Sequence, residues 1–136
     1  MKRITLALLL FLLTSAGAFA QTQCTVPSAF PATPVISTAT ESGHVLKASK
    51  GCLLAVYATT GASAGYLMVF NSTTVPADGA VTPVNCVYIP ATTTIAMNWA
   101  PQPPEWYSTG ISVAFSTTGC FTKTASATAF FHGLVQ

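Results

Sequence analysis

Charge is scarce in this sequence: Lys, Arg, Asp and Glu make up only 6% of its 136 residues. Beyond residue 20 there is no arginine, and three bases (Lys47, Lys50, Lys123) face three acids (Glu41, Asp78, Glu105), for a formal charge of zero. A surface for nucleic acid or an anionic membrane needs clustered Lys and Arg, so polyanion binding is excluded. No apolar run after residue 20 approaches the roughly 20 residues that span a bilayer. Helical periodicity is missing too, since no later stretch keeps it for the ten or so residues a helix needs. Closely spaced cysteine or histidine pairs are absent, which argues against a zinc site; no metal and no cofactor are expected. Disorder is excluded by the opposite measure, because 51% of the chain is hydrophobic and can bury enough surface to offset chain entropy.

What is present begins with an export signal. Lys2 and Arg3 precede an apolar run from Ile4 to Leu13, and Ala18, Phe19, Ala20 form a small-x-small cleavage site before Gln21. The run is too short to be a membrane anchor. Gln21, Thr22 and Gln23 before Cys24 do not suit lipid attachment, so the expected product is soluble and secreted or periplasmic, with about 116 residues and one core.

Four cysteines, Cys24, Cys52, Cys86 and Cys120, remain in that product, an even number that reads as two disulfides in an oxidising compartment. Three pairings are possible. The preferred one joins Cys24 to Cys52, pinning a proline-rich arm, and Cys86 to Cys120, tying two later strand ends. Each would close a loop of about 30 residues, worth roughly 3 to 4 kcal/mol by chain entropy.

The chain divides into the signal (1–20), a Pro/Ser/Thr-rich arm (21–43) with Pro27, Pro31 and Pro34, and a β domain (44–136). Strands are predicted at 45–49, 52–60, 66–71, 84–89, 93–99, 110–117 and 122–135, from β-branched and aromatic runs between Gly and Pro breaks. The second and third, parted by Gly61 to Gly65, read as a hairpin. The expected fold is an all-β, two-sheet antiparallel β-sandwich with disulfides, immunoglobulin-like or jelly-roll-like. Period two places Leu54, Val56, Leu67, Val69, Val87, Ile89, Ile95, Met97, Ile111, Val113, Phe115, Phe130 and Leu134 on the inner faces, although a one-residue slip inverts any strand.

Catalysis needs titratable groups that meet, and only His44, His132, Glu41, Asp78 and Glu105 are on offer. A Ser-His-Asp set can be drawn from either histidine with Asp78, but no Gly-x-Ser-x-Gly elbow supports it. Glu41 and His44 stand three apart with no helix to bring them together. No enzyme activity is expected. The segment from Trp99 to Tyr107 is different: Trp99, Trp106 and Tyr107 gather with Glu105 around a stiff proline loop, an arrangement able to stack a sugar ring and bond its hydroxyls. The competing reading makes Trp99 the end of a core strand and Trp106 a cap on the sandwich. Thr122, Thr124, Ser126 and Thr128 alternate along one predicted strand face, as in an ice-binding or a plainly solvated surface. Asn71, Ser72, Thr73 form a glycosylation sequon.

With net charge near zero, Tyr66 to Phe70 and Ile111 to Phe115 are aggregation-prone strands that need burial or a homo-oligomeric interface. The stretches Thr60 to Tyr66, Val75 to Val84 with Cys86, and Ser116 to Thr124 around Gly119-Cys120-Phe121 resemble those of small uncharacterised exported or prophage-type β proteins of proteobacteria. That resemblance spans roughly residues 45 to 136 and implies a compact β domain, a surface or phage-type component with no established activity. The export signal departs from a usual virion protein and makes a periplasmic or cell-surface role equally expected. The functional expectation is a non-enzymatic structural or interaction module whose partner is itself (a homo-oligomer) or a cell-surface or glycan partner, the alternative being a carbohydrate-binding module on loop 99–107.

Overall fold

Short β-branched and aromatic runs, each closed by Gly, Pro or a Ser/Thr cluster, become strands here. The computed structural model describes Cys24, residues 32–99 and residues 103–136. The signal 1–20 and the arm residues 21–23 and 25–31 lie outside the described residues. In chain order the strands are β1 (Thr33–Ile36), β2 (Gly43–Lys47), β3 (Gly51–Thr60), β4 (Gly65–Asn71), β5 (Gly79–Ala80), β6 (Asn85–Ile89), β7 (Thr94–Asn98), β8 (Glu105–Tyr107), β9 (Ile111–Ser116), β10 (Thr122–Lys123) and β11 (Ala129–Val135).

Nine of them form two antiparallel sheets face to face, and β5 pairs with β10 in a separate two-stranded ribbon. Sheet A runs β1-β11-β3-β7, with β8 beside the start of β3, and sheet B runs β2-β9-β4-β6. The core between them takes Leu53, Val56, Ala58, Tyr107, Phe131 and Val135 from sheet A and Leu46, Leu67, Val69, Ile89, Ile111, Val113 and Phe115 from sheet B. The fold is therefore the expected all-β sandwich. Both disulfides have the preferred pairing, Cys24–Cys52 and Cys86–Cys120.

Several expectations need correction. β3 and β4 are not a hairpin: β3 pairs in sheet A and β4 in sheet B, so Gly61 to Ala64 cross between layers. Gly61 is fixed there by its amide donating to Thr128 O (2.8 Å) and its carbonyl accepting from Thr92 N (2.7 Å). Leu54 is not on the inner face. Leu53 pairs with Val135 and Ala55 with Leu134, so Leu54 is the extra residue of a β-bulge and the phase shifts by one. In β11 the inward residues are Phe131, Gly133 and Val135, while Phe130 and Leu134 face outward. Gly133 allows this phase because Leu46, itself the extra residue of a bulge in β2, fills the space: a Cβ at Gly133 would stand 2.6 Å from Leu46 Cδ1.

The outer face of sheet B is not solvent. Met68, Phe70 and Ala114 make a second small core beneath Tyr66, Val75, Val81 and Cys86. Its cover is the segment 72–84, the two-stranded β5–β10 ribbon and the chain around Cys120. β9 fits under this cover because its outward residues Ser112, Ala114 and Ser116 are small. Ser112 Oγ donates to Thr74 O (3.0 Å) and Ser116 Oγ to Thr122 O (3.2 Å), so both buried hydroxyls are satisfied. The strands with the strongest aggregation signature are thus buried on both faces. β1, which falls within the proline-rich arm 21–43 of the sequence reading, joins sheet A along β11. The stretch 122–135 is not one strand either, since chain turns separate Lys123 from Ala129 and no continuous hydroxyl face forms.

Candidate functional site

Trp99, at the end of β7, continues the ladder by donating its amide to Leu54 O (3.2 Å), and its indole packs against the main core. Residues 100–102 lie outside the described residues. Pro103 and Pro104 then lead into β8, which pairs Gly51–Leu53 with Tyr107–Glu105. Strand alternation sorts this segment: Glu105 and Tyr107 turn inward and Trp106 turns outward.

Tyr107 is only 1% exposed, so it belongs to the core rather than to a stacking surface. Its hydroxyl donates to Glu105 Oε2 (2.8 Å), which also accepts from Asn85 Nδ2 (2.5 Å) on β6. Glu105 is thereby a polar tie between the two sheets. Burial first, and then the hydrogen bond and charge of Glu105, hold the Tyr107 phenol far above its usual pKa, so it stays a neutral donor. Trp106, 39% exposed, is the one aromatic of the segment that faces out. It stands opposite Cys52 and lines a cleft of about 200 Å³ with Cys24, Pro103 and Pro104. The four residues singled out from sequence therefore do not share a surface, and only Trp106 is placed for a ligand.

Most of the remaining polar groups are occupied by one another; the exception is the buried His132 Nε2, which has no hydrogen-bond partner among the described residues. Glu41 and His44 do meet, with His44 Nδ1 2.8 Å from Glu41 Oε1, because the chain leaves β1, bridges at Glu41 to Ala129 and re-enters β2. The same carboxylate oxygen accepts from Ser37 Oγ (2.5 Å), and Ser37 Oγ accepts from Phe131 N (3.0 Å). Here the carboxylate stands between serine and imidazole, so the histidine cannot take the serine's proton as a general base must. Asp78 is held by neighbours as well. Its Oδ1 pairs with Lys123 Nζ (2.5 Å), and both its oxygens accept from Ala125 N (3.1 Å). The Lys123 side chain is 4% exposed and the Asp78 side chain 53%. The Lys123 hydrogen bond, then that of Ala125, keep the Asp78 carboxyl below its usual range. His132 stacks on Tyr57, with ring centroids 5.5 Å apart. Asn71, the sequon residue, donates to Ser108 Oγ and accepts from Thr109 N, both at 2.9 Å.

Among the described residues no three His, Cys, Asp or Glu side chains converge as metal ligands, and no helix is long and apolar enough to cross a membrane. No family model, curated protein or solved structure matches the chain. The two structural disulfides suit an oxidising extracellular or periplasmic environment.

Proposed function

We propose that the protein is a non-enzymatic secreted or periplasmic module with a structural or interaction role. The observation that carries this reading is the use made of the three acids after residue 20. Glu41 is held by Ser37 and His44, Asp78 by Lys123 and Ala125, and Glu105 by Asn85 and Tyr107. Each ties two parts of the chain together, which is the work of a scaffold. Broad ester, peptide and glycoside screens, with His44→Ala and His132→Ala as controls, test it. No turnover is expected; an activity abolished by either substitution would overturn the reading. Export itself is checked by the N-terminus of the secreted product, expected at Gln21.

One observation favours a second reading. The outward Trp106 beside the Pro103–Pro104 cleft is a platform on which a sugar ring can stack, making the protein a carbohydrate-binding module. A glycan array decides: binding lost with Trp106→Ala supports it, whereas no binding, or binding indifferent to Trp106→Ala, removes it. Trp99→Ala serves as a stability control, since that indole packs on the core.

A further inference from the structure

The cover over the outer face of sheet B is thin. None of residues 72–84 is buried, and within 117–128 the only buried side chain is that of Lys123. Beneath this cover Met68 and Ala114 are fully shielded and Phe70 is 4% exposed. The three belong to a cluster that shares no residue with the core between the sheets. Sheet B is also complete without the cover, since β2, β9, β4 and β6 pair with one another. A segment with few buried contacts and many exposed hydrogen bonds opens at lower cost than the core it lies on.

Most of its bonds join one half of the cover to the other. β5 and β10 pair over two residues, Val81 N donates to Phe121 O (3.1 Å), and Asp78 takes both Lys123 and Ala125 N. Ser116 Oγ, at the end of β9, serves Thr122 O and Thr124 N only a few residues along the chain. Two ties reach the sheet across long stretches: Ser112 Oγ to Thr74 O, and the Cys86–Cys120 bridge, the covalent one, which spans 34 residues. That bridge is also the more accessible of the two. Cys24 and Cys52 are 5% and 8% exposed, whereas Cys86 and Cys120 are both half-buried. Cys120 lies on a bend between Gly119, where a Cβ would meet no atom within 4 Å, and Phe121, which is 72% exposed. Exchange requires a thiolate to reach a sulfur, so access favours this bridge.

We infer that the Cys86–Cys120 bridge is a redox lock: a low-molecular-weight thiol opens it, the cover lifts, and Met68 and Phe70 are uncovered while the sandwich stays folded. A thiolate attacks the Cys120 sulfur, forming a mixed disulfide and releasing Cys86 as a thiolate that takes up a proton. A second thiol attacks the mixed disulfide and frees Cys120, so two thiols are oxidised to one small disulfide and the bridge gains two electrons and two protons. The small disulfide reverses the steps and closes the lock. Val84 and Tyr88 share the outward parity of Cys86 on β6 and are already exposed, as is Phe121 beside Cys120. Opening adds Met68 and Phe70 to these side chains and turns scattered apolar groups into one surface. This deepens the interaction-module reading by naming the condition under which its apolar surface appears.

The test expresses the full-length gene and equilibrates the oxidised, exported product with a series of reduced-to-oxidised glutathione ratios. Alkylation and mass spectrometry identify which cysteines are free. Where half of Cys86–Cys120 is reduced, less than about a tenth of Cys24–Cys52 should be, with β circular dichroism retained and an apolar dye bound, and oxidised glutathione should reverse the dye signal. Methionine oxidation locates the opening. In Cys86→Ser with Cys120→Ser, hydrogen peroxide should oxidise Met68 at least about tenfold faster than in oxidised wild type, whereas half-buried Met97 should change by less than about twofold. Should that variant not fold, the glutathione series on wild type decides by itself. Reduction of Cys24–Cys52 first or together with the other bridge, loss of the β spectrum as Cys86–Cys120 opens, or its reduction with neither dye binding nor Met68 oxidation would each overturn the inference. The scaffold reading is tested separately, by the activity screens, and neither failure implies the other.

Discussion

The outer faces of the two sheets solve the same problem differently. Sheet B presents Met68, Phe70 and Ala114 outward and buries them under a cover of chain, clamped by the Cys86–Cys120 bridge and the Asp78–Lys123 pair. Sheet A presents Ile36, Tyr57, Phe130, His132 and Leu134 outward with no such cover among the described residues, and Ile36 is 50% exposed. The lesson is one of allocation. A chain with six charges after residue 20 cannot make both faces hydrophilic, so it spends a disulfide and its most buried lysine on one face and leaves the other neutral and half-apolar.

The sharpest way to break that contrast is to unclamp the cover. Cys86→Ala with Cys120→Ala should cost roughly 3 to 4 kcal/mol in urea titrations, because the bridge closes a loop of 34 residues. Met68 and Phe70 should then lose their shelter, read as new binding of an apolar dye. Next in size is the comparison of truncations. Met68→Ala, 0% exposed, should cost about 2 to 5 kcal/mol, whereas Leu134→Ala on the open face should cost less than about 1 kcal/mol. Equal costs would mean that the face of sheet A is covered after all.

How much of this was legible in the sequence depends on whether a local pattern decided the question. The cysteines paired as their spacing around the arm and the later strands suggested, and most strands fall where turn residues bound them. Strand phase failed where apolar residues occupy both parities. In Phe130-Phe131-His132-Gly133-Leu134-Val135 either face reads as hydrophobic, and the choice is made by Leu46 fitting against Gly133 from the opposite sheet. Leu54 failed because a bulge leaves no mark in composition. The aromatic segment misled in a third way. Its prolines made 99–107 look like one loop, when Glu105–Tyr107 is a strand whose alternation sends Glu105 and Tyr107 inward and Trp106 out. Glu41 and His44 show the limit of helix-minded spacing rules, since a bend between β1 and β2 joins them as well as a helix would.

Two smaller tests sharpen the comparison further. The folded state holds Asp78 below its usual value of 3.8, so its pairing supports stability in full above the unfolded carboxyl's titration and loses it as pH falls through the lower folded value. Stability should therefore drop below about pH 4 in wild type, and Asp78→Asn should flatten part of that drop while being less stable at neutral pH. Thermal melts between pH 2 and pH 7 read both effects. The smallest effect lies in the β6–β7 connection, away from both faces. Thr92 has φ of 53°, a left-handed conformation costly for a β-branched residue. Thr92→Gly should raise stability by up to about 1 kcal/mol, measured by denaturant midpoint, even though it gives up the hydroxyl bond to Ala91 O.

The position of β11 has a consequence for how the protein comes into being. β11, the last of the described strands in sequence order, lies in the middle of sheet A, between β1 and β3. A polypeptide emerging from its N-terminus therefore carries two strands that have no direct partnership until residues 129–135 arrive to stand between them. Such long-range closure is slow and leaves sticky edges waiting. Closure of this layer therefore waits on residues 129–135, while β3 already has β7 and β8 as partners on its other side.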